Sequence, residues 1–169
     1  MPASRRRLIR EKVLQALYAY ELSNEPIITI LEQHLSELKQ YNSEFIFAKG
    51  LVECAIQHEA EIDAVITSKV EHWEFARIAL VDKILLRMGI SELLYFPDIP
   101  PKVTINEAIE IAKNFSTAKS GTFVNGVLDA IHQDLKKANG LNKTGRGLMD
   151  TTTSSPSKHR TPRTPTKHS

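Results

Sequence analysis

Apolar residues recur every three or four positions along most of this chain. Ile9, Val13, Ala16, Leu17 and Tyr20 form one stripe at helical spacing, which predicts a first helix over 4–22 capped by Ser4. Asn24 and Pro26 open a second, carrying Ile27, Ile30, Leu31, His34, Leu35 and Leu38 in register. After Asn42 the same period runs through Phe45, Ala48, Val52, Ala55, Ile56, Ile62 and Ile66, reading as one helix of about 25 residues. A short helix is expected near 73–80. A longer one follows over 81–95, with Ile84, Leu85, Met88 and Leu93 facing inward.

Three prolines between 96 and 101 break the pattern. Thr104 and Glu107 have the spacing of a capping box, so a sixth helix is expected to open at Thr104 with Ile105, Ala108, Ile109 and Ala112 buried. A polar loop over 116–121 leads to the last helix. Its inward face is Val124, Val127, Leu128, Ile131 and Leu135, and Asn139-Gly140 stops it. Seven helices with no strand pattern make the fold all-α. Beyond Gly140 the chain is Ser, Thr, Pro, Lys and Arg, with too little apolar surface to offset its ordering entropy. The expected organisation is a helical domain over 1–139 and a disordered basic tail over 140–169.

Composition narrows the function. Cys54 is the one cysteine, so an internal disulfide is excluded and no Cys-based zinc site is expected. No apolar run is long enough for a membrane span, and Arg10, Glu11 and Lys12 interrupt any signal-peptide core; a reducing, cytoplasmic setting fits. No phosphate-cradling glycine loop or HExxH is present. His58, Glu59 and Asp63 are the nearest metal-like set, but His58 and Asp63, five apart, do not share a helix face. Neither an enzyme nor a cofactor is expected.

Charge is uneven. Arg5, Arg6, Arg7, Arg10 and Lys12 against Glu11 leave 1–12 at +4. Lys143, Arg146, Lys158, Arg160, Arg163 and Lys167 against Asp150 leave 139–169 at +5. The net charge of +2 then requires −7 over 13–138. A basic arm on an acidic body suggests a polyanion held locally. Four arginines at a helix N-terminus oppose the macrodipole, and a broken local rule often marks a functional site. Arg6 and Arg10, one turn apart, lie outside the apolar stripe as the spacing draws it.

Four stretches carry a family resemblance. They are Arg5-Arg6-Arg7 with Val13-Leu14-Gln15-Ala16-Leu17-Tyr18; Trp73-x-x-x-Arg77 leading to Val81-Asp82-Lys83-Ile84-Leu85-Leu86-Arg87 and Ser91-Glu92-Leu93-Leu94-Tyr95; Pro100-x-x-Val103-Thr104-Ile105-Asn106-Glu107-Ala108-Ile109-Glu110-Ile111-Ala112-Lys113-x-Phe115; and Ser120-Gly121-x-Phe123-Val124-Asn125-Gly126-Val127-Leu128-Asp129. In order and spacing they resemble the NusB family of transcription antitermination factors over most of 5–135. The resemblance implies a seven-helix fold of two small helical subdomains and binding to boxA single-stranded RNA of ribosomal RNA transcripts. It also implies a protein partner, NusE, a small-subunit ribosomal protein, and a larger antitermination complex on RNA polymerase. Some members pair with themselves, so a homodimer is possible. The alternatives are a NusB-like accessory domain of the kind found ahead of RNA cytosine methyltransferases, or a helical protein-interaction adaptor.

Single-stranded RNA needs cations for phosphates and flat side chains for bases. The arm offers Arg5, Arg6, Arg7 and Arg10, with Gln15 and Tyr18 further along the first helix. The resemblance places the rest of the RNA surface at Phe115, Lys119, Ser120, Gly121 and Phe123. Phe115, Phe123 and Tyr18 could each stack on a base or close the core. Ser120 and Thr122 sit near a helix start, where free N–H groups can hold a phosphate. For the protein partner the resemblance implies Asp82 and Arg87, with Pro101 where another member has an aromatic contact. Spaced five apart, Asp82 and Arg87 are poorly placed to pair with each other and are expected to be free for a partner, unless Arg77 satisfies Asp82. Glu107 is expected to cap, and Asn125 and Gly126 to serve helix packing.

Overall fold

The computed structural model describes residues 4–149, apart from the side chain of His72, and these residues form helices and short 3-10 turns with no strand. Helix α1, Arg5–Ser23, starts where expected: the Ser4 Oγ accepts from the Arg7 N–H at 3.2 Å, and Asn24 ends it with φ 55°. Helix α2, Ile27–Leu35, follows Pro26 and runs into a 3-10 turn, Ser36–Gln40. The long third helix of the sequence pattern is two, α3 (Asn42–Gln57) and α4 (Glu59–Thr67), separated at His58, whose φ/ψ of −104°/17° leaves the helix. The apolar period crosses this break because both pieces face one core; Leu51, Ile62 and Ile66 are all fully buried.

Helix α5, His72–Phe75, is a single turn held by reciprocal side-chain bonds between Glu71 and Glu74. Helix α6, Leu80–Tyr95, is central: every residue from Ile84 to Leu93 is buried, and α1, α3, α4, α7 and α8 all pack on it. Helix α7, Pro101–Phe115, begins three residues before the predicted start. Pro101 occupies its first turn, where a missing N–H costs nothing. The predicted Thr104–Glu107 box therefore does not form; both side chains fall inside the helix and bind other helices. Helix α8, Ala118–Lys137, is capped by Thr117, whose Oγ1 accepts from the Ser120 N–H at 3.1 Å. The expected 116–121 loop thus shrinks, with Ser120 and Gly121 in the first turn of α8. Asn139, at φ 52°, and Gly140, whose N–H reaches the Leu135 carbonyl at 2.8 Å, stop α8 as the sequence implies.

Helices α1–α3 pack as one group and α6–α8 as another, with α6 bridging the two through α1 and α3. At the α6–α8 crossing a methyl on Gly89 would sit 2.9 Å from both Leu128 methyl carbons, so this glycine sets how closely the helices approach. Packing does not end at the expected 139/140 boundary. The Lys143 Nζ donates to the carbonyls of Glu92 (2.9 Å) and Phe96 (2.8 Å) at the end of α6. The Thr144 N–H reaches the Pro97 carbonyl at 2.9 Å, and a 3-10 turn, Gly145–Leu148, follows. Polar composition hid this strap because its anchor is hydrogen bonding to carbonyls at the end of α6 rather than apolar burial. The rest of the predicted tail, 150–169, lies outside the described residues. No described helix is long and apolar enough to cross a membrane.

Candidate nucleic-acid interface

The arginine arm divides once folded. Arg10, expected outside the apolar stripe, is 4% exposed and belongs inside it. The buried face of α1 includes Leu14 as well as Ile9, Val13 and Leu17, so position 10 points at α6. There its guanidinium makes two bonds to Glu92, at 3.0 and 2.6 Å, and the Thr104 hydroxyl donates to the same carboxylate at 3.0 Å. Burial works against the Arg10 charge most strongly, but the charge and hydrogen bonds of Glu92 raise its pKa above the ordinary value. Arg10 thus joins α1 to α6 and α7 and is withdrawn from the surface. Arg7 is half withdrawn: its two bonds to Glu107 on α7, at 2.7 and 3.1 Å, raise its pKa.

Arg5 and Arg6 remain outside. Arg5 lies 4.4 Å over the Tyr41 ring and pairs with Glu44 at 2.7 Å while staying largely exposed. Arg6 lies 4.1 Å over the Phe47 ring and has no carboxylate partner among the described residues. Gln15 and Tyr18 are exposed on α1, but at about 100° per residue they point to the other side of the helix from Arg6. They share that side with the exposed Leu8 and Leu22.

The second cluster forms around the start of α8. Phe115 ends α7 with its ring 40% exposed, and Lys119 is exposed with no ion-pair partner among the described residues. Phe123 is half-buried and packs on the core. Ser120 is buried: its Oγ donates to Asp82 Oδ2 at 2.9 Å and lies 2.8 Å from the Ser116 Oγ. Gly121 is buried too, and a methyl there would meet Lys113 Cγ at 3.1 Å. Ser120 and Gly121 therefore hold the turn that presents Lys119. The amides of Ala118 and Lys119 have no acceptor within the helix, which favours an anion there. Along α7, Phe115 stands about 12 Å from Glu107 and the arm it holds.

The residues expected to be free for a protein partner are not free. Asp82 is buried against Ser120, and Arg77 lies over the Trp73 ring at 5.4 Å instead of reaching it. The second Asp82 oxygen, Oδ1, is buried without a hydrogen bond among the described residues. Arg87 is buried and gathers three carboxylates: Asp63 at 2.8 and 2.9 Å, Glu59 at 3.0 Å and Glu21 at 3.7 Å. Burial, with Glu21 and Asp63 nearby, pushes the Glu59 carboxyl above its usual range despite Arg87. Pro101 is half-buried at the start of α7. His58, from the metal-like set, instead stacks on Tyr95 at 4.2 Å, and no cluster suited to a metal ion occurs among the described residues.

The positioning residues Glu92, Glu107 and Phe47 were not anticipated. Glu92 did carry a signal, as a lone acid inside the apolar run of α6.

Comparison with known proteins agrees with the fold. The NusB family model matches residues 7–133. Transcription antitermination protein NusB of Salinibacter ruber is 46% identical over 151 residues, covering 88% of this chain and 94% of that protein. The protein of the same name from Chloroherpeton thalassium is 45% identical over 150 residues, covering 86% and 69%. Among solved structures, T. maritima NusB aligns with a TM-score of 0.71 at 38% identity, covering 79% of this chain and 94% of that one. A structure of antitermination factors NusB and NusE in complex with dsRNA aligns with a TM-score of 0.66 at 27% identity, covering 76% and 96%.

Proposed function

The chain belongs to the NusB family of transcription antitermination proteins, and from that premise we propose that it binds boxA single-stranded RNA of ribosomal RNA transcripts together with NusE. In this reading it acts without catalysis, in the cytoplasm, within a larger complex on RNA polymerase, and suppresses premature termination. The observation that carries the RNA reading is the exposure of two cations without carboxylate partners among the described residues, Arg6 at the start of α1 and Lys119 at the start of α8. Phosphates would lie on these two helix starts, with Arg5 beside the first. The exposed Phe115 ring would stack on a base, a contribution of about 1–3 kcal/mol. Arg7, Arg10, Ser120 and Gly121 would position that surface from within.

For NusE, the reading keeps the face of α6 but changes the part its residues play. Arg87 holds Glu21, Glu59 and Asp63 together, so three carboxylates around one guanidinium present an acidic rim to the partner. Asp82 and Pro101 would shape the neighbouring ends of α6 and α7.

Binding of a short boxA RNA and of a scrambled RNA, each with and without purified NusE, tests the reading. Preference for boxA that tightens with NusE is expected. Equal, weak binding of both RNAs, unmoved by NusE, would overturn it.

A further inference from the structure

A concavity of about 370 Å³ opens between the starts of α1 and α7, and the strap over 141–149 forms one of its walls. At about 30 Å³ per water it holds the space of roughly a dozen waters, more than one phosphodiester needs. Of the five charged residues lining it, two are held in ion pairs, Arg10 with Glu92 and Glu107 with Arg7, and the Asp98 carboxylate is exposed. The two cations left are Arg6 from α1 and Arg146 from the strap; Arg146 is exposed and has no ion-pair partner among the described residues. Val103 and Met149, both exposed, give the cavity an apolar side. The strap lies beyond the part of the chain that the family model matches.

The strap's place is set by two contacts. Lys143 is plugged into the carbonyls at the end of α6, and Gly147 lies so close to Pro97 that a methyl there would stand 1.9 Å from the Pro97 carbonyl oxygen. Arg146 is therefore held at the cavity by the residues on either side of it.

We propose that Arg146 is a further RNA-contacting residue, which holds a backbone phosphate in this concavity next to the one on Arg6 and lengthens the RNA track onto the C-terminal strap. The proposal rests on the RNA reading above. An apolar wall beside two guanidinium groups suits a nucleotide, whose ribose and base need non-ionic contact next to the phosphate.

The test uses the full chain and the boxA RNA, with affinity measured across a range of salt. One lost phosphate contact on a single strand flattens the salt slope by about 0.7, which is about fivefold in affinity at 0.1 M salt relative to 1 M. Arg146→Ala should show that loss with an unchanged melting temperature, and Arg146→Lys should largely restore the slope. Gly147→Ala keeps the arginine but displaces the strap from Pro97, and should weaken RNA binding as much as Arg146→Ala. Wild-type affinity in Arg146→Ala would overturn this contact while leaving the RNA reading intact. Loss in Arg146→Ala without loss in Gly147→Ala would overturn it too, since the arginine would then act as loose charge. Absence of RNA binding by the wild type would overturn both.

Discussion

Arg6 and Arg10 stand one turn apart on α1, and both guanidinium groups lie over the same Phe47 ring, at 4.1 and 5.3 Å. One is at the surface with no carboxylate partner among the described residues; the other is sealed against Glu92 and Thr104. The difference is depth along α1 and what the opposing helices offer at that depth. A run of arginines is thus not one functional unit. Its outer members are exposed, while its inner member ties α1 to α6 through Glu92. A buried pair of this kind is not stronger than a well-packed apolar replacement, but breaking it is costly because the remaining charge has no water.

The largest effect should come from splitting the inner pair. Arg10→Met leaves the Glu92 carboxylate buried and uncompensated, and should lose about 3–5 kcal/mol. In a chain of this size that lowers the melting temperature by on the order of 10 °C. Arg10→Met with Glu92→Leu should recover much of the loss, and a single variant as stable as the wild type would contradict the buried-pair assignment.

The strap comes next. Lys143→Met removes two charge-assisted bonds to helix-end carbonyls and should lose about 1.5–3 kcal/mol in denaturant unfolding. Burial holds the Lys143 pKa below 10.5 despite Glu92 and Asp98, so between the folded value and 10.5 the unfolded chain binds more protons. The stability difference between wild type and Lys143→Met should therefore grow as pH rises through that alkaline window and shrink as it falls; the reverse trend would place the ammonium in a better-solvated site.

On the outer side the effects on stability should be small. Arg6→Ala should change stability by less than about 0.5 kcal/mol while weakening RNA binding. Arg5→Ala breaks only an exposed pair with Glu44 and should sit within the same limit. Thermal unfolding monitored by circular dichroism checks both, and a drop comparable to that of Arg10→Met would erase the distinction between the two sides.

Periodicity made most of the helices legible because each buries one face in a shared core. It missed the break at His58, since a helix can turn a corner without changing which residues are apolar. It missed the true start of α7, where Pro101 in the first turn outweighs the side-chain pattern at Thr104. The division of the arm could not be read from the arm itself. Glu92 and Glu107, which withdraw Arg10 and Arg7, lie 82 and 100 residues away. Arg10 does precede Leu14 by one turn, and once Leu14 is counted as buried the wider stripe takes in position 10. Ser120 and Gly121 were found through the family resemblance, but their place inside the α8 turn became visible only with Asp82 and Lys113 beside them. The strap over 141–149 is not legible in the sequence, because hydrogen-bonded anchoring leaves no trace in hydropathy.

Salt-dependent binding of boxA RNA by the wild type, Arg6→Ala and Arg6→Ala with Lys119→Ala tests most directly whether the two helix starts form one RNA surface. Two contacted phosphates predict a slope flattened by about 0.7 in the single variant and about 1.4 in the double, with melting temperatures unchanged. Wild-type slope and affinity in the double variant would contradict that surface.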